Sequence, residues 1–413
     1  MQIYILNKNY DLIGELSAQE DIVFNKRFND VGYCALKVAC DLEMLDLLKA
    51  GNYIFRYNDD MLCKIETAAI DTDVEQGDYL TVDATDMNNI LAGRIVRWDI
   101  TYSGKVLDFL EKLIIDNIIN PRNDKGELIT ARQIKNFELY DMQEDERAEF
   151  TETINVAKDT ATKDLLQLII TTCKTYNYGF RVSLNIESKT LVFRLKKGVN
   201  KATMESEEYV EFSPNFANII SSHYKEDESN YKNVVYVGYK SANKDDENVY
   251  LLSLFEGDTE PQGEARREIY VDATNTSREI KLEELQSLYG TLTKEGNTYF
   301  ATVDGVKTAV ATFEISTSDG VTTEKITAND FTYLKLIRIV GMNTLAERVK
   351  TQEFSGEIDT VDTYKYKTDF DLGDIVKVAN EYGIEAPAQI TEVTESESVD
   401  NPYTIEPIYE FIY

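Results

Sequence analysis

The last fifty residues, 364–413, alternate strand-like segments with turn signals. Three segments are rich in β-branched and aromatic residues, and the turn signals Asp371-Leu372-Gly373, Tyr382-Gly383 and Asp400-Asn401-Pro402 punctuate them. Segments of this kind, bounded by Gly, Pro, Asn and Asp, are typical of short antiparallel strands. The pattern predicts a small antiparallel sheet closed as a barrel.

A similar pattern lies near the N-terminus. Three pairs of segments correspond in order: 51–57 with 373–379, 64–68 with 389–393, and 78–82 with 402–406. Any two β-hairpins share some features, but these two also share a turn glycine, the order of their strands and an acidic link. Internal repeats decide the architecture of a chain. We therefore predict two related barrels, one at each end, with other material inserted between them.

The chain is strongly acidic, with 74 Asp and Glu against 43 Lys and Arg and a net charge of −31. Residues 351–413 alone hold fifteen carboxylates and three lysines, a net of −12. Such a charge repels nucleic acid and anionic membrane surfaces, which argues against DNA recognition or lipid-headgroup binding. Two interpretations remain: a solvated acidic surface that maintains solubility, or an acidic lining past which a polyanion slides.

The N-terminus lacks the basic and apolar regions of a signal peptide, and no stretch has the ~18 uninterrupted apolar residues of a membrane helix. We expect a soluble protein without an export signal of its own. At 413 residues the chain is long enough for several domains.

The predicted fold class is α+β, predominantly β, with two related small β-barrel domains and with inserted α+β domains. The predicted regions are 1–100 as the first β-barrel domain, 101–209 as an inserted α+β domain, 210–256 with 340–413 as the second β-barrel domain, and 257–339 as a helix plus a β-rich insertion.

Helices are predicted from apolar periodicity and capping residues. Asp41 should cap a short helix with Leu42, Leu45 and Leu48 on one face, and Ser103 should cap one with Val106, Phe109, Leu110, Leu113 and Ile114. A further helix should begin near Thr160 and place Leu165, Leu166, Ile169, Ile170 and Cys173 inward. The spacing of Thr276 and Glu279 predicts a capping box for a helix over 277–289, and a last helix is expected over about 328–350.

Catalytic chemistry is poorly supported. His223 is the sole histidine, and Ser221 and Ser222 are too close to it in sequence to serve as a convincing nucleophile. Asp71-Thr72-Asp73 lacks the glycine of an aspartic-protease motif, and Asp245-Asp246-Glu247 lacks the ligand spacing of a calcium loop. The four cysteines show no metal-binding spacing. We expect no catalytic, cofactor-binding or metal-binding residues, and no enzymatic activity.

Several short segments match one family in order: Lys26-Arg27-Phe28, Gly32-Tyr33-Cys34-Ala35-Leu36, Lys64-Ile65-Glu66, Leu91-Ala92-Gly93-Arg94-Ile95-Val96, Leu191-Val192-Phe193-Arg194, Glu211-Phe212-Ser213, Asn218-Ile219-Ile220, Tyr231-Lys232-Asn233-Val234-Val235-Tyr236-Val237-Gly238, Asp371-Leu372-Gly373-Asp374-Ile375-Val376 and Ile390-Thr391-Glu392-Val393. With these segments the chain resembles the tail-tip hub proteins of siphoviruses, which are related to the baseplate hub of contractile tails. It departs from that pattern at 291–331, which reads as an extra β-rich insertion.

The resemblance implies a ring-shaped homotrimer in the virion tail, assembled in the cytoplasm of the bacterial host, that adapts a sixfold tail tube to a threefold tip and lines the channel. The implied partners are the tail tube protein, a tail-tip or spike protein, distal tail or other baseplate proteins and the tape measure protein. DNA would only pass through, without specific binding, and no membrane insertion is implied.

Two alternatives remain open beside the hub. The first is a cell-surface carbohydrate recognition module, with exposed tyrosines and the strands of 298–326 as its binding surface. The second is a peptidoglycan hydrolase that would depend on His223. The sequence leaves open whether the particle is a contractile tail, a non-contractile tail or a phage tail-like bacteriocin.

Overall fold

The structure, a computed structural model, describes the whole chain except residues 17–20, 57–58, 74–76, 158–159, 204–207, 242–247, 319–320, 356–357, 359–363, 400–402 and 413. About 45% of the chain is strand and 20% is helix, which confirms the predominantly β, α+β prediction. No described helix is both long enough and apolar enough to cross a membrane. The strands are numbered β1 to β26 and the helices α1 to α6 in chain order.

The first part of the chain is almost entirely β-structure. Its elements are β1 Ile3–Leu6, β2 Leu12–Leu16, β3 Asp21–Arg27, β4 Tyr33–Ala39, α1 Leu42–Leu47, β5 Tyr53–Arg56, β6 Leu62–Asp73 and β7 Gly77–Asp86.

The next part is mixed. It contains β8 Thr101–Lys105, α2 Val106–Ile114, β9 Phe137–Leu139, α3 Glu144–Ala148, β10 Thr153–Ala157, α4 Leu165–Tyr176, β11 Gly179–Asn185 and β12 Thr190–Lys196. A single π-helical turn, Ile115–Ile119, extends α2. Helices α2 and α4 pack on the β11–β12 hairpin around one apolar core that includes Phe109, Leu113, Ile169, Phe180 and Phe193.

The remaining elements are β13 Glu211–Phe212, β14 His223–Asp227, β15 Val234–Lys240, β16 Val249–Phe255, β17 Glu268–Asp272, β18 Glu279–Ile280, α5 Leu282–Tyr289, β19 Leu292–Glu295, β20 Thr298–Val303, β21 Val306–Ser318, β22 Val321–Ala328, α6 Asp330–Ala346, β23 Thr351–Ser355, β24 Ile375–Ala379, β25 Glu385–Ser398 and β26 Thr404–Phe411. Short 3₁₀ turns lie at Met87–Gly93, Pro214–Phe216 and Gly263–Ala265.

One large sheet joins the two ends of the chain. Its strand order is β14-β23-β26-β25-β3-β4-β7-β6-β5-β1-β2, with β24 also on β25 and β13 on β24. The N-terminal strands surround one apolar core, which contains Phe24, Cys34 and Ile65, and the C-terminal strands surround another, which contains Phe212, Val393 and Tyr409. The path through the described strands ends at β14 and β2, so the two closed barrels are not confirmed. Each core lies against a different part of the same sheet.

Smaller sheets carry the rest of the fold. The order β16-β15-β17 forms one, packed on α6 through Val235, Val237, Ile337 and Val340, and β18-β22-β21-β20-β19 forms another. The second sheet occupies the segment predicted as a β-rich insertion. The division of the chain into four regions stays a prediction.

The predicted start of the first helix is confirmed, but that of the second is wrong. The Asp41 carboxylate accepts a hydrogen bond from the Met44 amide at 2.7 Å and caps α1, although Leu42 is 88% exposed and does not face the core. All five residues of the predicted inner face of α2 are buried. Ser103 does not cap this helix, because it lies in β8 and its hydroxyl donates to the Asn155 side chain at 2.7 Å.

Other helices begin later than predicted, because pairing with distant strands overrides the local signals in the sequence. Helix α4 begins at Leu165 behind an Asp164 cap, five residues after Thr160, with its predicted inner residues buried. The Thr276 and Glu279 capping box is wrong, because Glu279 pairs with Thr327 as part of β18. Helix α5 begins at Leu282, and α6 spans Asp330–Ala346 behind an Asn329 cap, which is shorter than predicted.

Candidate functional site

The large sheet contains two copies of a four-strand unit, side by side. The first unit, β3-β4-β7-β6, and the second unit, β14-β23-β26-β25, have the same strand order, and each neighbouring pair within them is antiparallel. Strand β5 lies beside β6 as β24 lies beside β25. The predicted repeat therefore exists, as two units of one sheet.

Matching hydrogen bonds show which residues correspond in the two units. The Gly51 amide donates to the Ile65 carbonyl at 2.9 Å, and the Gly373 amide donates to the Ile390 carbonyl at 2.8 Å. The amides of Ile65 and Ile390 donate in return to the carbonyls of Asn52 and Asp374, at 2.8 and 2.9 Å. Both glycines have positive φ, +91° and +95°. The correspondence of 51–54 with 373–376 is thereby confirmed.

Each unit also has a β-bulge at the same place. The register of β6 on β7 shifts between Ile65 and Thr67, and that of β25 on β26 shifts between Ile390 and Glu392. The extra residues are Glu66 and Thr391, which occupy the same position when 64–68 is aligned with 389–393. Because a bulge bends a strand and increases its local twist, the two units change geometry at the same point.

The third predicted correspondence is wrong by one residue. Thr67 pairs with Asp83 and Glu392 with Ile408, so Asp83 corresponds to Ile408 and Leu80 to Ile405. Leu80 and Ile405 are both buried in their cores. The sequence comparison had matched Leu80 with Thr404. A slip of one residue moves every side chain of a strand to the opposite face, so the burial pattern settles the register.

The two units join where β25 pairs with β3. Seven residue pairs run antiparallel from Glu392 opposite Arg27 to Ser398 opposite Asp21. On one side of this junction Arg27 donates to Glu392 at 2.8 Å, and the Asn25 amide donates to the Thr394 hydroxyl at 3.0 Å. Backbone pairing and polar side chains together connect residues more than 360 positions apart in the chain.

On its other side the junction contains a buried charged cluster of Lys26, Arg56, Asp59 and Glu395. The Lys26 ammonium group pairs with Asp59 and lies 3.5 Å from Glu395, and the Arg56 guanidinium lies 2.7 Å from Glu395. The side chains of Lys26, Asp59 and Glu395 are no more than 2% exposed. Burial alone would raise the pKa of Glu395, but Lys26 and Arg56 together lower that pKa below its usual value.

Sequence reasoning missed this cluster, although a signal was present. In β3, Ile22 and Phe24 point into the core, and Lys26 is the next residue on that face. Glu395 follows Val393 in the same way in β25. A charged residue at an inward position of an alternating strand requires a partner, because an unpaired buried charge is costly. The two breaks in alternation together pointed to a contact between β3 and β25.

The side of the large sheet opposite the two cores is polar. We use "polar face" for the outward side chains of the eight strands of the two units. Carboxylates outnumber basic residues among its described positions, which include Asp21, Asp71, Asp83, Asp227, Glu353, Glu392, Glu406 and Glu410 against Arg27, Lys37, Lys64 and Lys225. Glu353 and Glu410 lie directly opposite each other in β23 and β26. Burial, and then the Glu353 charge, raise the pKa of Glu410.

The residues considered for catalysis lie apart from any described catalytic arrangement. His223 is exposed in β14, opposite Ser355, and Ser221 and Ser222 precede it on the surface. Asp71 and Thr72 are exposed in β6 itself, not in a link between strands. Asp245-Asp246-Glu247 lies outside the described residues, as does the turn Asp400-Asn401-Pro402. The described residues contain no group of His, Cys, Asp and Glu suited to hold a metal ion.

The family comparison identifies the chain as a structural protein of a phage tail or baseplate. The chain belongs to the siphovirus ReqiPepy6 Gp37-like protein family, whose model matches residues 2–409. A search among curated proteins gave no match.

Three solved structures are similar over nearly the whole chain. They are the prophage tail protein gp18 from Listeria monocytogenes EGD-e (12% identity, TM-score 0.47, 99% of this chain and 94% of that one), the tail protein from Neisseria meningitidis MC58 (13%, 0.46, 99% and 96%) and the 43 kDa tail protein of prophage MuSo2 from Shewanella oneidensis (9%, 0.43, 100% and 98%).

Proposed function

We propose that the protein is the hub of a phage or phage-like tail tip: a trimeric ring that docks on the sixfold tail tube, presents threefold symmetry to the tip and lines the channel. The observation that carries this proposal is the tandem repeat, with its matched hydrogen bonds and bulges. Three copies of a chain with two similar units present six similar units around one axis, so a threefold ring can match a sixfold partner.

The polar face is the proposed channel lining. It lies opposite both cores, so it can face water while the cores and the inserted elements form the outside of the ring. Its excess of carboxylates repels the phosphates of DNA, which lets a polyanion pass without adhering. No chemical reaction is part of this role, and His223 has no catalytic function in it.

The partners follow from the position in the tail. The tail tube protein contacts one end of the ring and a tail-tip or spike protein the other, and the tape measure protein occupies the channel before DNA passes. The sheet of β18–β22 lies outside the two units, where it is free to contact distal tail or other baseplate proteins. Localisation is the virion tail, after assembly in the host cytoplasm.

Two measurements test this function. Light scattering of the purified chain should give three times the mass of 47.2 kDa. Immobilised rings should then retain the tail tube protein encoded with it, whereas a variant that does not form rings should not. Retention of the tube protein by monomers alone, or a stable dimer, would contradict the symmetry-adaptor role.

A further inference from the structure

The junction between β25 and β3 has an unpaired counterpart in the first unit. Beyond its bulge, β25 is bordered by β26 on one edge and by β3 on the other. Strand β6 is bordered beyond its bulge by β7 alone, and among the described strands none covers its other edge over 67–73. The side chains of 67–72 are exposed. An exposed strand edge offers unpaired backbone groups to another strand.

Strand β14 is the second-unit equivalent of β3. Tyr224 lies opposite Phe354 and contacts the second core, as Phe24 lies opposite Cys34 in the first core. In β3 the other edge is covered by β25. In β14, which ends the sheet, the other edge has no strand partner in the described part of the chain. One chain thus contains one complete junction, between β25 and β3, and the two equivalent strand edges, of β6 and β14, that remain unpaired among the described strands.

We propose that β14 of one copy pairs with β6 of the next copy, in the geometry of the β25–β3 junction. This inference rests on the proposed ring and identifies its subunit interface. The register follows from the residue correspondence. In the proposed contact Asp227 lies opposite Thr67, as Arg27 lies opposite Glu392 within the chain. Lys225 lies opposite Ala69, as Asn25 lies opposite Thr394. Tyr224 lies opposite Ile70, as Phe24 lies opposite Glu395.

The side chains at these positions suit such a contact. Ile70 is 52% exposed in the isolated chain, and the pairing covers it with the Tyr224 ring. Aromatic and β-branched residues form favourable cross-strand pairs. On the polar face, Lys225 lies diagonal to Asp71, and His223 lies opposite Asp71. The subunit junction therefore has an apolar pair, Tyr224 with Ile70, at the positions of Phe24 and Glu395. Glu226 takes the position of Lys26, and its carboxylate accepts hydrogen bonds from Tyr224 and Gln352 of its own chain.

Disulfide trapping tests the register directly. Ala69→Cys with Lys225→Cys places thiols at the positions equivalent to Thr394 and Asn25, whose side chains are in contact at 3.0 Å. A Cys40→Ser background removes the one native cysteine that is not fully buried. Because a disulfide requires Cα atoms within about 4.4–6.8 Å, oxidation should give covalent trimers on a non-reducing gel only in this register.

Two matched controls accompany the trap. Ala69→Cys with Glu226→Cys moves one thiol to the opposite face of β14 and should give no trimers. Asn25→Cys with Thr394→Cys reproduces the internal junction and should give a disulfide within one chain. Circular dichroism should match wild type for the trap and for the first control, because Ala69, Lys225 and Glu226 are exposed.

A second variant gives an independent readout. Ile70→Asp should weaken association by at least tenfold in the concentration at which trimers dissociate, whereas Ile13→Asp on exposed β2 should leave it unchanged. Trimers by light scattering that form no disulfide in the variant with Ala69→Cys and Lys225→Cys would overturn this pairing and leave the ring intact. Absence of trimers at every concentration would overturn both the pairing and the ring.

Discussion

The ammonium group of Lys26 and the carboxylate of Glu395 lie 3.5 Å apart, each on a different four-strand unit and each almost fully buried. Lys26 comes from β3 and Glu395 from β25, the two strands that join the units. Arg56 and Asp59 complete the cluster at this point of the sheet. The relative position of the two units thus depends on a buried contact between oppositely charged groups.

Replacement of Glu395 should destabilise the protein strongly. Glu395→Gln leaves Lys26 and Arg56 with one anion fewer in a buried site, and removal of one partner of a buried ion pair typically costs about 3–5 kcal/mol. Denaturant unfolding followed by circular dichroism measures the loss. Glu406→Gln is the matched control, since Glu406 is exposed on β26, and it should change stability by less than about 0.5 kcal/mol. Equal effects of the two variants would show that the cluster does not stabilise the junction.

Acid should weaken the same junction. The Lys367 ammonium group lies 2.9 Å from Asp59, on the edge of the cluster. Burial alone would raise the pKa of Asp59, but the charges of Lys26 and Lys367 lower that pKa below its ordinary value. A carboxylate with a lowered native pKa contributes stability above its unfolded pKa of about 3.9, and this contribution is lost as pH falls through the native value. Unfolding free energies measured between pH 7 and pH 2 should therefore fall steeply below about pH 4. In Asp59→Asn the decline should be shallower; an unchanged slope would contradict the assignment.

The two turn glycines should respond differently to alanine. Both have φ near +90°, where an L-residue is disfavoured by about 1–2 kcal/mol. A Cβ at Gly51 meets no atom within 4 Å, whereas one at Gly373 would lie 2.1 Å from the Phe28 ring. Overpacking of this kind adds typically about 1–3 kcal/mol. Thermal unfolding should rank the variants as wild type, Gly51→Ala and Gly373→Ala in falling stability, and the reverse order of the two variants would refute the close approach of Phe28.

Glu410 should be a position at which loss of charge stabilises the fold. Its carboxylate faces that of Glu353 across β23 and β26, and its pKa is raised. Like charges directly opposite are unfavourable, so Glu410→Gln should gain about 0.2–1 kcal/mol at pH 7. An acid with a raised native pKa is penalised above that pKa and relieved as pH falls below it, so the gain should vanish at about pH 4. A gain that persists at pH 3 would point to packing instead of charge.

Much of the fold was predictable because its signals are local. The turn glycines, the match of 64–68 with 389–393 and the inner faces of α2 and α4 depend on short-range pattern, and the structure confirms them. The slip at Leu80 arose because a one-residue shift in an alternating strand leaves a similar pattern of residue types. The start of α5 was missed because Glu279 pairs with a strand that lies far from it in sequence.

The junction could not be located from local pattern. It joins residues 21–27 to residues 392–398, and alternation in each strand is compatible with many neighbours. The inward charges of Lys26 and Glu395 were the one signal that each strand needed a partner of opposite charge. Closed barrels were predicted because each unit was considered alone, whereas in the structure the edge of one unit is covered by the other.

The most direct test of the proposed trimeric ring is an end-on view of the purified protein by electron microscopy, with averaging that imposes no symmetry. We expect a ring of three copies around a central hole, with six similar inner segments and threefold features outside. Rings of a different copy number, or three copies whose inner segments do not alternate between the two units, would contradict it.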